Sequence, residues 1–106
     1  MRVEAARGVV AVRVGAVFQA RECEELERRL AALAPMRRLV VDFSDTREAD
    51  DSAVAQLAAS LRGLSPSVSL HGLSLHHRRV LRFLGLWGPD GELPFAGSLV
   101  EREAAP

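Results

Sequence analysis

The feature that most constrains this chain is an alternation between two hydrophobic periods. Residues 9–14 (VVAVRV) are short and rich in β-branched side chains, which pack well on a pleated sheet, and residues 2–5 supply a partner strand before them. Gly8 and Gly15 mark the flanking turns. From residue 21 to 34 the period changes: Cys23, Leu26, Leu30 and Leu33 recur every three or four positions, which places them on one face of a helix. Glu24 with Arg28 and Glu25 with Arg29 add i,i+4 pairs on its wet side, and Pro35 stops it.

The alternation then repeats. Residues 39–43 (LVVDF) read as a strand covered on both faces. A polar stretch at 44–51 (SDTREADD) follows, and Val54, Leu57, Ala58 and Leu61 trace a second amphipathic helix that starts at Asp51 or Ser52 and stops at Gly63. Beyond Pro66, Val68 and Leu70 alternate with Ser67 and Ser69 as another strand. Ser74 caps a third helix whose inward positions are His77, Val80, Leu81 and Leu84, with Gly85 as a left-handed stop. Trp87 reads as a packing lid, 88–91 as a loop, 93–103 as a short strand or a final helix, and 104–106 as a disordered tail.

Strands alternating with helices give an α/β class. The expected architecture is a small mixed β-sheet of about four strands covered by three to four α-helices, with right-handed crossovers placing the helices on a common face. A chain of 106 residues is one domain, here residues 1–103, and with 48% apolar composition it builds a core without staples.

Charge removes several function classes. Fourteen arginines balance fourteen acids, so no global field draws the chain to nucleic acid or to an anionic membrane. No apolar run approaches the roughly 18 residues of a membrane span, and the mixed charges of residues 1–15 do not form a signal peptide. Cys23 is the single cysteine, and no Cys/His spacing matches a zinc site. These features place the chain in a reducing, cytoplasmic setting, without direct membrane insertion, metal or cofactor.

Three segments, in order, resemble the STAS domain, the fold of bacterial anti-sigma factor antagonists. Residues 42–54 (DFSDTREADDSAV) are similar to the family signature, in which a strand ends Asp-Leu-Ser and Asp-Ser-Ser-Gly-Leu opens the next helix. Residues 72–86 (GLSLHHRRVLRFLGL) resemble its C-terminal helix motif, and residues 15–26 fit its first turn and helix more loosely. On that alignment Asp50 falls on the motif aspartate and Ser52 on the phosphorylated serine, while Asp51 replaces the first serine and Ala53 the glycine. Glu48 stands where a bulky apolar residue is usual, and Phe18 where many antagonists carry a polar one.

The resemblance implies a phospho-regulated protein-binding module rather than an enzyme. In such a module the residues Asp50, Asp51, Ser52, Ala53 and Val54 meet the partner, a GHKL-type anti-sigma factor that is also a serine-protein kinase. Phosphorylation of Ser52 breaks the partnership, and a PPM-type phosphatase restores it. A non-phosphorylated STAS subunit of a larger assembly, such as a stressosome scaffold or an ABC-type lipid transporter, is the alternative. The residues themselves leave a plainer reading open, because Asp and Ser are ordinary N-cap residues that satisfy unpaired helix donors.

Other candidates for chemistry read more simply as structure. His76 and His77 diverge by about 100° on a helix, and His77 lies on the inward stripe with Val80 and Leu81. His71 lies outside that helix. Cys23 sits where a small hydrophobe is expected. Arg78, Arg79 and Arg82 form a basic edge of the third helix, which is usually a solvated face. No Gly-x-Ser-x-Gly elbow supports a hydrolase built on Ser52. The acids Asp42, Asp45, Glu48, Asp50 and Asp51 gather around the switch segment, which marks it as the place to look for function.

Overall fold

The computed structural model describes residues 1–61 and 67–86. Its elements run β1 (Arg2–Ala6), β2 (Val9–Arg13), β3 (Val17–Phe18), α1 (Ala20–Leu33), β4 (Arg38–Asp42), β5 (Glu48–Ala49), α2 (Asp51–Leu61), β6 (Val68–His71) and α3 (Leu75–Phe83). The expectations for Gly63, Pro66, Trp87 and everything beyond lie outside the described residues.

The first hairpin follows from its turn. Arg7 and Gly8 both have positive φ, 55° and 81°, and this two-residue loop has the twist that joins antiparallel strands, so Ala6 pairs Val9. β2 then pairs β4 in parallel, and β4 pairs β6 in parallel, giving the sheet order β1-β2-β4-β6. Registers align the apolar side chains in rows. Val10, Leu39 and Val68 form one row across the sheet; Val12, Val41 and Leu70 form the next.

Against those rows pack Cys23, Leu26 and Leu30 of α1, Ala53, Val54, Leu57, Ala58 and Leu61 of α2, and Leu81 of α3, each buried. Burying this apolar surface against the sheet is the dominant stabilisation of the fold. Leu33 ends the α1 stripe but is 38% exposed, because the sheet no longer lies beneath the last turn. In α3 only Leu81 is fully buried; His77 and Val80 are half-buried, and Leu84, expected inside, is half-exposed at the helix end.

The expectation that β4 is covered on both faces is corrected. Leu39 and Val41 are buried, but Arg38, Val40 and Asp42 are only partly covered. The helices occupy one face, and the other face presents Arg2, Glu4, Ala11, Arg13, Val40 and Asp42 in a shallow depression. The β1–β2 hairpin extends the sheet without supplying a helix, so nothing among the described residues forms a second helical layer.

Helix ends are set locally. The Glu22 side chain accepts a 2.9 Å bond from the Gln19 backbone N–H, which fixes the start of α1. Of the two pairs expected on its wet side, Glu25–Arg29 closes at 3.4 Å, while Glu24 and Arg28 do not pair. Ser74 accepts from the His77 N–H at the start of α3. Gly85, with φ 75°, stops that helix, and the Leu86 N–H reaches the Leu81 carbonyl at 2.7 Å.

Two short elements escaped the sequence reading: β3 and β5 pair in parallel as a separate two-stranded sheet, Val17 with Glu48 and Phe18 with Ala49. Phe18 is buried and meets Phe43 edge-on with ring centroids 5.3 Å apart. This accessory ladder anchors the polar segment after β4 to the segment before α1.

Gly72 closes the same end of the molecule. Its φ is 77°, and a Cβ there would lie 2.5 Å from the Ser44 backbone nitrogen, so backbone would have to move. At Gly8 a Cβ would meet only the flexible Arg37 side chain, at 3.3 Å. Gly72→Ala is therefore expected to lower unfolding stability by about 2 kcal/mol or more, and Gly8→Ala by distinctly less. Urea denaturation of both variants checks this; equal losses would mean that the contact with Ser44 contributes nothing beyond backbone strain.

Candidate functional site at the start of α2

The C-terminal end of β4 begins the site. Asp42 accepts from the backbone N–H of Ser44 at 2.9 Å and from its hydroxyl, and it pairs with Arg13 at 3.4 Å. These bonds, the Ser44 hydroxyl foremost, hold the Asp42 carboxyl below its ordinary pKa. Asp42 thus closes a turn. Asp45 also leans toward Arg13, at 3.8 Å. The acidic group expected around one site is therefore divided: Asp42 and Asp45 share an arginine on β2, while Asp50 and Asp51 stand at the start of α2.

The segment between is fastened by backbone bonds. The Ala16 carbonyl accepts from the N–H groups of Arg47 and Glu48, the Phe18 carbonyl accepts from Asp50, and the Thr46 hydroxyl donates to the Gly15 carbonyl. The Asp50 carbonyl then accepts the first helical bond, from Val54. The entry to α2 is therefore positioned by β3 and not by its own sequence alone.

Ser52 lies exposed in the first turn, and its hydroxyl donates to the Asp50 carboxylate at 2.7 Å. Asp50 and Asp51 are exposed beside it. Ala53 and Val54, expected on the same partner-facing surface, are 3% and 1% exposed and belong to the core. The reason is helical geometry: each residue turns about 100°, so five consecutive residues cannot share one face. The surface at this point consists of Asp50, Asp51 and Ser52.

Asp51 has partners that the sequence did not reveal. His76 Nε2 lies 2.8 Å from one of its carboxylate oxygens and 3.0 Å from the other, and His77 Nε2 lies 3.1 Å away. His77 is largely buried, and its Nε2 also sits 2.9 Å from the Ala49 carbonyl, while its Nδ1 meets the Ser74 hydroxyl at 2.7 Å. One tautomer satisfies every bond: Nε2–H donates to Ala49 and Asp51, and Nδ1 accepts from Ser74, whose oxygen accepts the His77 backbone N–H. The helix starts of α2 and α3 are thereby tied together. Partners 25 residues apart, joined by a fold rather than by a motif, leave no local signal in the sequence.

Next to this tie an open polar cleft of about 870 Å³ runs between the starts of α1 and α2, lined by Arg21, Glu22, Arg47, Glu48, Asp50 and His77 among others. Both signs of charge alternate along it, so it presents no single-sign field to a ligand. Among the described residues no group of three or more His, Cys, Asp or Glu is arranged to hold a metal ion. Cys23 is buried in α1, and burial, followed by the nearby Glu27 charge, pushes its thiol up to about 12; it stays a protonated packing group.

Hydrogen bonding from His76 foremost, and from His77, holds the Asp51 carboxyl below its ordinary pKa. A depressed carboxylate contributes stability above the ordinary carboxylate range and loses it as pH falls through the lowered value. Asp51 should therefore titrate below a free aspartate when followed by carboxyl NMR, and His76→Gln should return its midpoint toward the ordinary value. An unchanged midpoint would show that the contact with His76 is not populated in solution.

The family model described as "Mlab, STAS domain" matches residues 1–100. Among solved structures, the anti-sigma factor antagonist SpoIIAA in its unphosphorylated form is similar, with a TM-score of 0.65 at 18% identity, covering 99% of this chain and 96% of that one. At that identity the likeness is one of fold. No protein of curated function matches the sequence.

Proposed function

Because the chain belongs to the STAS domain family, as the match over residues 1–100 shows, we propose that it is a phospho-regulated protein-binding module, not an enzyme. On this reading it acts as an anti-sigma factor antagonist in the cytoplasm, and the start of α2 meets a GHKL-type anti-sigma factor that is also a serine-protein kinase. The observation that carries the reading is Ser52: exposed in the first turn of a helix, its hydroxyl bonded to Asp50, at the position that matches the family's phosphorylated serine.

The physics of that position favours a switch. A phosphate on Ser52 lies near the unpaired N–H groups and positive dipole end of α2, so the fold tolerates it. It adds about 1.5 to 2 negative charges to a surface already carrying Asp50 and Asp51. A partner that accepts the unmodified surface then faces concentrated like charge, and it leaves. A PPM-type phosphatase resets the state. Among the described residues no helix is long and apolar enough to cross a membrane.

One observation favours a second reading. Asp51 replaces the first serine of the family motif, and His76 and His77 hold its carboxylate in place. A negative charge is thus built permanently into the start of α2, as suits a non-phosphorylated STAS subunit of a stressosome scaffold or an ABC-type lipid transporter.

Incubation with the cognate kinase and ATP separates the two. The switch predicts the mass gain of one phosphate, abolished by Ser52→Ala, and partner binding weakened on the order of tenfold or more by Ser52→Asp. If Ser52 is never modified and both variants bind like the wild type, the switch is wrong and the second reading stands.

A further inference from the structure

A surface on α3, separate from the start of α2, is unexplained by either reading. The helix carries Arg78, Arg79 and Arg82 and no acid. All three are exposed, and among the described residues none of their side chains makes a hydrogen bond or an ion pair. Phe83 is 89% exposed. Taking Leu81, the buried residue, as the inward direction, 100° per residue puts Arg79 and Phe83 on the opposite side, with Arg78 and Arg82 on one flank. A phenyl ring left in water forgoes the stabilisation of burial, so the fold gains nothing from Phe83 where it stands.

We propose that the outer face of α3 is a docking surface for an acidic protein segment, one whose carboxylates meet Arg78, Arg79 and Arg82 and whose apolar side receives Phe83. The chemistry selects this occupant. Arg78 and Arg82 are four residues apart, a rise of about 6 Å, which is also the spacing of carboxylates at i and i+4 on a partner helix. A single exposed aromatic beside arginines is the usual anchor of a protein interface. A membrane surface is the poorer fit. Helices that lie in a bilayer bury an apolar side along their whole length, and in α3 that side is already used on the core through His77 and Leu81. The net charge of the chain is zero, so nothing beyond this patch draws it to anionic lipid. The inference does not depend on Ser52, which sits on another helix.

The test uses the whole isotope-labelled chain and three probes: a synthetic amphipathic peptide with glutamates at i,i+4 on one face and leucines on the other, the same peptide with lysine for glutamate, and vesicles of phosphatidylglycerol. The acidic peptide should shift amide signals along α3 and the ring signals of Phe83. Its affinity should fall roughly tenfold or more in Arg79→Glu/Arg82→Glu and in Phe83→Ser, while Ser52→Asp leaves it unchanged. All of the substituted side chains are exposed, so an otherwise unaltered amide spectrum confirms the fold of each variant. Binding that is equal in the variants, that maps elsewhere, that the lysine peptide matches, or that appears only with vesicles overturns the proposal.

Discussion

The candidate site of this molecule depends on β4 being paired in parallel on both sides. Parallel neighbours start and finish together, so the C-terminal ends of β2, β4 and β6 lie along one edge of the sheet, and the segments leaving them emerge side by side. That is why Asp51, which follows β4, and His76 and His77, which follow β6, meet although 25 residues separate Asp51 from His76. It is also why Gly72 must be glycine-like: two segments leaving adjacent parallel strands pass so closely that Ser44 occupies the space of its missing Cβ. An antiparallel partner for β4 would have sent one of these segments to the other end of the sheet.

The sequence made much of this frame readable, and the limits have physical causes. Periodicity located Cys23, Leu26 and Leu30 because burial against a sheet demands a repeating stripe, and it misplaced Leu33 and Leu84 because a stripe read from spacing does not show where the sheet beneath it ends. Helix starts and stops at Ser74 and Gly85 were legible, since capping is local chemistry. β3 and β5 were not: two-residue strands are made by backbone bonds from Ala16 and Phe18, and backbone carries no sequence signature. The motif resemblance found the start of α2, but treating residues 50–54 as one surface ignored the helical turn that puts Ala53 and Val54 in the core. His77 was expected on the inward side of α3 and is partly buried there, yet its contact and that of His76 with Asp51 became visible only in three dimensions.

A net charge of zero concealed the most informative property of the surface. Arg13 absorbs Asp42 and Asp45 on the sheet side, and His76 meets Asp51. α3 carries Arg78, Arg79 and Arg82 and no acid, so this helix presents one sign of charge. No carboxylate lies at i±4 of these arginines within the helix, so the pairing that Glu25 gives Arg29 on α1 is closed to them.

The same reasoning bears on how a partner would be oriented. The acidic start of α2 and the basic side of α3 belong to different helices, so they present charge of opposite sign at two places on the surface. His76 stands between them, bonded to Asp51 on one side and belonging to the arginine-bearing helix on the other. A protein spanning both must therefore carry positive charge against Asp50 and Asp51 and negative charge against Arg79 and Arg82. Reversing that protein end for end would set like charges together at both contacts, at a cost of several kcal/mol. Polarity of this kind fixes orientation before any close packing is made.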